Sequence, residues 1–443
     1  MRNILIVGAG KSSSFLIKYF IEKSISENLN IQIIDNHEDN LQKHQSSDRF
    51  STYKIDIFNE NKREEFIKNS DIVISMLPVK FHILIAKSCL KLKKNLITAS
   101  YVSEDMKKLD KEVKKNKLIF LNEIGLDPGI DHMSAKKIID NLQSKGNVIS
   151  SFKSYTGGLI SNESDNNSWN YKFTWNPRNV ILAGQGKPAK YIENNRNKSI
   201  AYKNLFENTW DIDFKGFGKF EVYANRDSLK YKEKYGFSNI KTMMRGTIRK
   251  PNFCNGWNMF VKLGLTSDDF NISESYGMSY RDFLNYFLPK DKLSNTEDKI
   301  KKIFNINEND HKWDKLNDIE IFSSTKKILI DNGTPAEILE YILKDKWKLK
   351  KEDKDMVLMY HEFIFHDQSK SERKIISQMA CLGENRDYTA MAKTVGLPVA
   401  FAALLILNNK TNLTGVQTPI HKELYIPILK KLENYGIKFE ELY

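Results

Sequence analysis

The first 125 residues alternate between short apolar runs and segments whose apolar positions follow helical spacing. Residues 4–7 (ILIV) form the first apolar run, and Phe15, Leu16, Tyr19 and Phe20 then follow at helical spacing. Further strands are predicted at 31–34, 53–57, 72–77, 95–99 and 118–121. One predicted helix ends at residue 68, and two more span 81–92 and 106–115. Strands that alternate with helices indicate βαβ units and a parallel sheet.

The turn after the first strand, Gly8-Ala9-Gly10, fits part of the dinucleotide fingerprint GxGxxG. Gly8 would make the tight turn, and Gly10 would let the pyrophosphate approach the helix N-terminus. Ser13 replaces the third glycine. A phosphate-binding P-loop fits less well: residues 10–12 (GKS) match its end, but its first glycine would fall on Leu5, inside the strand.

The second strand ends in Asp35, where this fold places an acid for the ribose hydroxyls. A carboxylate there repels a 2′-phosphate, so the sequence favours NAD over NADP. Lys11 or His37 could offset that repulsion.

Ligands of open α/β sheets bind at the carboxyl ends of the strands. The turns there, 8–13, 76–78, 100–101 and 122–135 (NEIGLDPGIDHMSA), are therefore site candidates. The predicted cofactor-binding residues are Gly8, Gly10, Lys11, Ser12, Ser13, Asp35, Asp56, Leu77, Pro78 and Ser100.

The remainder of the chain changes character twice. Residues 148–263 are rich in strand formers and aromatics, whereas 264–345 are charged and low in glycine, with helical patterns at 280–288 and 335–343. Thr334 before Pro335 is a typical helix start. The last apolar helix is predicted at 398–407, packed back on the first domain.

Length and composition describe a globular protein of two or three domains, with 443 residues, 40% apolar and 28% charged. No secretory signal pattern is visible, and the longest apolar run, 397–407, is too short to span a bilayer. Cys89, Cys254 and Cys381 stand far apart without a CxxC pair. We therefore expect reduced thiols, a cytoplasmic location, no membrane association and no metal site.

A net charge of +13 raises the question of nucleic-acid binding. The lysines are scattered among acids, as in residues 107–112 (KKLDKE), which is typical of solvated helix faces. We expect no nucleic-acid partner. The positive excess equally suits a small polyanionic substrate.

The segment GLDPGIDH at 125–132, preceded by TASYVS at 98–103, resembles the glutamate-forming branch of the saccharopine dehydrogenase family. The resemblance continues in the family's order through SYTGGL, NYKFTWNPRNVILA, NRDS, MMRGTIR, DMVLMYHEF and TAMAKTVGLPVA, which begin at 154, 170, 225, 243, 355 and 389. It covers most of the chain. The sequence departs from the family at Ser13, usually glycine or alanine, and at Thr156, where members often have cysteine.

The resemblance implies a Rossmann-type doubly wound parallel sheet, a second α/β (α+β) substrate domain and a small helical insertion. The implied division is 1–125 with 388–443 returning, 126–263 with 346–387, and 264–345 as the insertion. A homodimer is a further expectation from the family.

The implied reaction oxidises the secondary amine of saccharopine by hydride transfer to NAD or NADP, after which water releases glutamate and aminoadipate semialdehyde, or it runs in reverse. The substrate carries three carboxylates, and an arginine fork suits a carboxylate. Arg226 and Arg245 match the family's substrate-holding positions. Thr156 is a further substrate-binding candidate, and Arg178 is a weaker one; a surface or domain-bridging ion pair is the alternative for each arginine.

Tyr101, Asp127 and His132 are the candidates for proton exchange. Asp127 precedes Pro128, which favours extended geometry, and its carboxylate could pair with the substrate amine or accept its proton. A turn or helix N-cap is the structural alternative, for which Asp131 is better placed. His132 could orient a phosphate or cap a turn, and Tyr101 could contact substrate or nicotinamide or only pack. Glycine and proline would form a rigid crossover, with the acids facing the cleft between domains.

Two other functions remain open from the sequence. A carboxyspermidine or carboxynorspermidine dehydrogenase would use the same fold to reduce an imine on a polyamine, but its cationic substrate would need an acidic cleft. A nucleotide-binding regulatory protein without catalysis would belong to a different class. Tyr101, Asp127 and the two arginines favour an enzyme.

Overall fold

The computed structural model describes residues 1–44, 47–290, 295–307 and 309–443. Within them the chain forms two compact units. Unit 1 comprises Met1–Ile149, His366–Ser371 and Met379–Leu442, and unit 2 comprises Ser150–Phe365 and Glu372–Gln378 with the terminal Tyr443.

The strands of both units follow in chain order. They are β1 Arg2–Val7, β2 Leu29–Asp35, β3 Phe50–Lys54, β4 Ile72–Ser75, β5 Asn95–Thr98, β6 Ile119–Leu121, β7 Val148–Ile160, β8 Ala189–Glu193, β9 Arg196–Ile200, β10 Thr209–Phe214, β11 Gly218–Ala224, β12 Thr242–Arg249, β13 Asp355–His366, β14 Glu372–Leu382, β15 Gly415–Gln417 and β16 Glu440–Leu442.

The helices interleave with these strands. They are α1 Ser14–Lys23, α2 Glu38–Leu41, α3 Glu60–Lys68, α4 His82–Lys91, α5 Glu104–Lys108, α6 Asp110–Lys115, α7 Ile130–Ser144, α8 Pro177–Ile181, α9 Phe253–Leu263, α10 Tyr280–Tyr286, α11 Thr296–Phe304, α12 His311–Asp318, α13 Pro335–Lys346, α14 Ala390–Leu407 and α15 Lys422–Glu433.

Unit 1 contains a parallel sheet in the order β3-β2-β1-β4-β5-β6-β15. This is the doubly wound order of dinucleotide-binding folds, with β15 added at one edge. The run from Ile4 to Val7 is fully buried because a parallel strand in such a sheet is covered by helices on both faces. The α/β class and the Rossmann-type sheet are confirmed.

The third strand begins and ends three residues earlier than its apolar pattern predicts. The strand is Phe50–Lys54, and Ile55 and Ile57 follow it as buried residues of the core. Their apolar side chains extended the predicted strand because burial outside a strand leaves the same sequence signal as burial within one.

The helix expected at 106–115 is divided into α5 and α6 around Leu109. Ser103 caps α5 by accepting a hydrogen bond from the backbone N–H of Met106. In α6, Asp110 accepts a hydrogen bond of 2.8 Å from Val416 N, at the edge strand β15. This contact to the end of the chain is invisible to local periodicity.

The apolar helix near the end, α14, starts at Ala390 rather than 398, with Thr389 as its N-cap. It is not the last helix, because α15 follows. Its 18 residues would suffice by length and composition to cross a membrane, which corrects the expectation based on the shorter run, but 78% of it is buried inside the structure. Such burial is typical of a core helix.

Unit 1 extends to Ile149 because α7 packs against α15. Between these helices the Tyr425 hydroxyl donates a hydrogen bond of 2.6 Å to Asp140 Oδ2. The division at residue 125 implied by the family resemblance separates the strands of the sheet from α7. That division stays a prediction.

Unit 2 is built on a mixed sheet in the order β10-β11-β12-β7-β13-β14, with β8 and β9 paired beside β12. Strand β12 runs antiparallel to β11 and parallel to β7. An aromatic core lies in this unit: the rings of Trp169 and Phe260 stack at 5.2 Å, and Trp347 meets Trp169 at 5.3 Å.

Helices α10 to α13 lie in the segment 264–345, except that α13 ends at Lys346. Residues 291–294 and 308 of this segment lie outside the described residues. Thr334 is the N-cap of α13, its hydroxyl accepting from Glu337 N while the Glu337 carboxylate accepts from Thr334 N. The predicted helix start at Thr334–Pro335 is confirmed.

Candidate dinucleotide and catalytic site

The strand order of the unit 1 sheet reverses between β1 and β4, where ligands of such sheets bind. Gly8 follows β1 with φ +100°, a conformation that favours glycine. A Cβ on Gly8 would lie 3.2 Å from the Met76 carbonyl group, in the loop after β4. The two loops at the switch point are therefore in close contact.

Gly10 leaves an open backbone at the start of the next helical segment. A Cβ there would meet nothing within 4 Å. Ser13 N–H and its hydroxyl both donate to Gly10 O, at 3.0 and 2.6 Å, and Ser13 is buried where the fingerprint has glycine. Lys11 is exposed and Ser12 half-buried. This open turn at a helix N-terminus fits a dinucleotide pyrophosphate.

Asp35 is the last residue of β2 and is buried, with 7% of its surface exposed. Its Oδ2 accepts from Ala9 N at 2.7 Å and from Asn40 Nδ2 at 3.3 Å, and its Oδ1 accepts from His37 N at 2.8 Å. The carboxylate thus braces the glycine turn. It also places a negative charge beside that turn.

The remaining cofactor candidates lie in neighbouring turns. Asp56 is exposed and its Oδ1 accepts from Phe58 N at 2.9 Å, so its carboxylate closes the turn after β3. Leu77 is half-buried and Pro78 exposed, in the loop after β4. Ser100 is half-buried after β5. The structure brings these candidates to the carboxyl edge of one sheet.

The segment 125–130 is a closed loop between β6 and α7. Gly125 N donates to Pro128 O and Ile130 N donates to Gly125 O, both at 2.9 Å. Gly129 has φ +149°, and a Cβ there would lie 2.0 Å from Gly125 O. Only glycine fits at 129, and the loop fixes the orientation of Asp127.

Tyr101 and Asp127 meet at this edge of the sheet. The Tyr101 hydroxyl donates to Asp127 Oδ1 at 3.0 Å, and both residues are half-buried. Tyr101 lies after β5 and Asp127 after the neighbouring strand β6. Two of the predicted proton-exchange residues are therefore directly hydrogen-bonded.

His132, the third candidate, is buried in α7 between two carboxylates. Its Nε2 lies 3.1 Å from Glu123 Oε2 and its Nδ1 lies 3.4 Å from Asp131 Oδ2. Asp131 Oδ1 accepts from Gly129 N at 2.6 Å, so Asp131 lies in the first turn of α7 and Gly129, not Asp131, is the N-cap. His132 is 1% exposed, and its contacts place it to orient the loop 125–130. A direct role of His132 in proton exchange remains a prediction.

Sequence reasoning missed Glu123. It is a non-glycine residue with φ +57°, is 2% exposed, and its Oε1 accepts from Val102 N at 3.1 Å. It thereby joins His132 to the segment that carries Tyr101. A buried acid directly before the glycine-proline loop is the signal that could have identified it.

His82, at the start of α4, was missed as well. Its ring nitrogens lie 2.8 Å from the hydroxyls of Ser75 and Ser100. A histidine seven residues after the end of a strand carries little local signal, because the partners come from two different strands.

In unit 2, Arg226 and Arg245 lie in adjoining segments. Asn225 N donates to Arg245 O at 2.8 Å, and Arg245 N donates to Ser228 Oγ at 2.9 Å. Arg245 is 3% exposed and its guanidinium lies 4.5 Å from the centre of the Tyr231 ring, whereas Arg226 is exposed with φ +51°. The backbones of the two segments that carry the predicted substrate arginines are thus adjacent.

The two other substrate candidates differ in their surroundings. Thr156 faces Thr247 across β7 and β12, and its buried hydroxyl has no hydrogen-bond partner among the described residues. Arg178 forms an ion pair with Asp268 and lies 4.0 Å from Glu337. That pairing supports the structural alternative for Arg178.

Among residues 1–44, 47–290, 295–307 and 309–443, no group of three or more His, Cys, Asp or Glu side chains is arranged to hold a metal ion. Cys89, Cys254 and Cys381 are all buried, and none of these three described residues forms a disulfide.

These features define a protein with a Rossmann-type dinucleotide-binding unit and a second α/β unit. The family model described as the saccharopine dehydrogenase NADP binding domain matches residues 4–121, and that described as the saccharopine dehydrogenase C-terminal domain matches residues 125–437. The chain belongs to the saccharopine dehydrogenase family.

Relatives and a solved structure agree with this membership. The chain is 28% identical over 452 residues to the NADP(+), L-glutamate-forming saccharopine dehydrogenase of Saccharomyces cerevisiae, covering 99% of each. The Schizosaccharomyces pombe enzyme of the same name is 32% identical over 396 residues, 87% of each. The solved apo structure of the S. cerevisiae enzyme superposes with a TM-score of 0.89 at 27% identity over 100% of this chain and 99% of that one.

Longer relatives match over part of their length. The mitochondrial alpha-aminoadipic semialdehyde synthase of Rattus norvegicus is 32% identical over 454 residues, and the chain covers 47% of it; for the Arabidopsis thaliana synthase, 33% identical over 406 residues, it covers 38%. The chain thus spans less than half of these proteins. A homospermidine synthase from Legionella pneumophila shares the fold, with a TM-score of 0.59 at 12% identity.

Proposed function

We propose that this chain is a nicotinamide-dependent oxidoreductase that converts saccharopine and water to glutamate and aminoadipate semialdehyde, or catalyses the reverse condensation. The observation that carries the proposal is the Tyr101–Asp127 hydrogen bond at the carboxyl edge of the Rossmann sheet. It occurs in a chain that covers 99% of the yeast saccharopine dehydrogenase.

The cofactor supplies the hydride acceptor or donor. The open turn at Gly10 would receive its pyrophosphate, with the backbone of residues 10–13 at the helix start. Asp35 stabilises that turn through Ala9 N. The protein's contribution to the redox step is to orient the cofactor, not to exchange electrons.

Asp127 would hold or accept the proton of the substrate's secondary amine, and Tyr101 would stabilise the Asp127 carboxylate through its hydroxyl. Once the amine has lost its proton and a hydride, the resulting imine carbon is attacked by water. The carbon–nitrogen bond then breaks, leaving glutamate with the nitrogen and aminoadipate semialdehyde with the oxygen.

Arg226 and Arg245 would bind carboxylates of the substrate. Each guanidinium offers a planar pair of N–H donors that matches a carboxylate. The Tyr231 ring beneath Arg245 would hold that guanidinium flat. Thr156 would add a hydroxyl in place of the thiol found in other members.

For the choice between cofactors we propose NAD. Support comes from Asp35, whose buried carboxylate at the end of β2 would repel a 2′-phosphate. The names of the fungal relatives specify NADP(+), so the proposal makes this chain differ from them. The ratio of catalytic efficiencies with the two cofactors tests it.

The expected homodimer and cytoplasmic location stay predictions. The homodimer rests on the family, and the cytoplasmic location is supported by three buried cysteines that form no disulfide. Sedimentation of the purified protein would test the first. The proposed activity itself is tested by following reduced nicotinamide at 340 nm with saccharopine as substrate.

A further inference from the structure

His82 is surrounded by hydroxyl groups at the carboxyl edge of the unit 1 sheet. It is 5% exposed. Its Nδ1 lies 2.8 Å from Ser75 Oγ, and its Nε2 lies 2.8 Å from Ser100 Oγ and 3.1 Å from Thr98 Oγ1. All three of these hydrogen-bond partners are hydroxyl groups, so none of them forms an ion pair with the ring.

The hydroxyls lie at or just after the ends of two adjacent strands, β4 and β5. Ser75 is the last residue of β4, Thr98 is the last of β5, and Ser100 directly precedes Tyr101. The imidazole therefore bridges the end of β4 to the segment that carries the proposed proton-exchange tyrosine.

Burial lowers the pKa of His82 to about 4. The ring is therefore neutral at neutral pH, and a neutral imidazole donates through one nitrogen and accepts through the other. The Ser75 and Ser100 hydroxyls must then take opposite roles towards the ring. One hydroxyl therefore donates to the ring and the other accepts from it, and these two hydrogen bonds hold the imidazole in one orientation.

The same segment is held from its other side. Glu123 N donates to Ser100 O at 3.0 Å, and Val102 N donates to Glu123 Oε1 at 3.1 Å. Tyr101 thus lies between a contact from His82 before it and a contact to Glu123 after it. Loss of the His82 contact would remove the hydrogen bond to the Ser100 side chain and leave Ser100 held through its backbone, by Glu123 N.

We propose that His82 is a positioning residue that, through Ser100 Oγ, holds Tyr101 in line with Asp127 for the reaction. This inference rests on the proposed function. A displacement of about 1 Å in a reacting group can cost about a hundredfold in rate, so a residue without contact to substrate can limit turnover.

Two substitutions divide the two hydrogen bonds of the ring. In His82→Asn the amide can reach only the Nδ1 partner, Ser75, whereas in His82→Gln it extends to the position of Nε2 and can bond Ser100. Each variant of the full chain is assayed for kcat and KM with saccharopine, for cofactor dissociation constant by fluorescence of reduced nicotinamide, and for melting temperature.

We expect His82→Asn to lower kcat by about ten- to a hundredfold and His82→Gln to restore it to within about threefold of wild type. KM and the cofactor dissociation constant should change by less than about threefold in both, since the pyrophosphate turn is untouched. Ser100→Ala should lower kcat to the same extent as His82→Asn, and the kcat of the double variant His82→Asn/Ser100→Ala should fall no further than that of either single variant. The pH profile of His82→Gln should overlay that of wild type.

Equal losses in His82→Asn and His82→Gln, or additive losses in the double variant, would overturn the inference. If His82→Asn does not fold, the comparison of Ser100→Ala with Ser100→Thr, which keeps a hydroxyl, decides the same question. A wild-type protein that binds cofactor but does not turn over saccharopine would overturn the proposed function itself, and this result is visible before any variant is made.

Discussion

The Tyr101 hydroxyl donates a hydrogen bond of 3.0 Å to Asp127 Oδ1, although the two residues lie 26 positions apart. They come together because β5 and β6 are neighbouring parallel strands and both residues follow the ends of these strands. A phenol hydroxyl that donates to a carboxylate oxygen fixes the orientation of that carboxylate, which is the group we propose for the substrate amine. We propose this pair for proton exchange with the substrate amine.

Asp127→Asn should lower turnover of saccharopine by roughly 10² to 10⁴, the usual range for a general acid or base. Asparagine keeps an oxygen for the Tyr101 hydroxyl and removes the charge that pairs with the amine. The melting temperature should hardly change. Steady-state kinetics and thermal unfolding are measured on one preparation.

Tyr101→Phe is the matched variant, since it removes the hydroxyl and keeps the ring. We expect a smaller loss of turnover than in Asp127→Asn, because the carboxylate remains. Near-normal turnover in Asp127→Asn, together with a lowered melting temperature, would show that the aspartate is structural.

Replacing Arg226 or Arg245 by alanine should weaken saccharopine binding by about 2 kcal/mol or more, the order expected for a lost charge-assisted contact. Cofactor affinity should stay the same. Arg178→Ala is the control, because Arg178 is already paired with Asp268. Saccharopine kinetics that are unaltered in both test variants, or altered equally in the control, would contradict the assignment.

Gly129→Ala and Gly10→Ala make a pair with opposite expected effects. An alanine at 129 would place its Cβ 2.0 Å from Gly125 O at φ +149°, so we expect severe loss of folded protein. An alanine at 10 meets no protein atom within 4 Å, so stability should be kept while cofactor affinity falls. Thermal unfolding and cofactor titration separate the two; unchanged affinity in Gly10→Ala would place the pyrophosphate elsewhere.

Wild-type protein should use NAD at least about tenfold more efficiently than NADP, because we expect a like charge beside Asp35 to cost about 1.4 kcal/mol or more. Asp35→Asn should reduce this preference. It should also destabilise the protein by about 1–3 kcal/mol, since an amide nitrogen would replace one oxygen that accepts from Ala9 or His37. A wild-type preference for NADP would refute the cofactor proposal.

Much of unit 1 could be predicted from sequence because its strands are continuous apolar runs punctuated by turns. The limits of β3 could not, since Ile55 and Ile57 are buried outside the strand. The break between α5 and α6 and the true start of α14 depend on caps and on contacts with distant residues. Local periodicity carries no information about either.

For the site, the turn motifs placed Tyr101 and Asp127 on the same edge, but their hydrogen bond needed the strand order. The roles of Glu123 and His82 were hidden because each acts through residues from other elements: Glu123 through Val102 N and His132, His82 through two serine hydroxyls. Asp35 was predicted as a ribose ligand. Its carboxylate also accepts a hydrogen bond from Ala9 N in the glycine turn, and the sequence does not show this structural role.

The most direct test of the proposed function is one assay of the purified wild-type chain with saccharopine and oxidised nicotinamide cofactor. Formation of reduced cofactor is followed at 340 nm, and the products are identified by mass spectrometry. We predict one glutamate and one aminoadipate semialdehyde for each reduced cofactor. Lysine and 2-oxoglutarate as products, or no turnover by a protein that binds the cofactor, would contradict the proposed function.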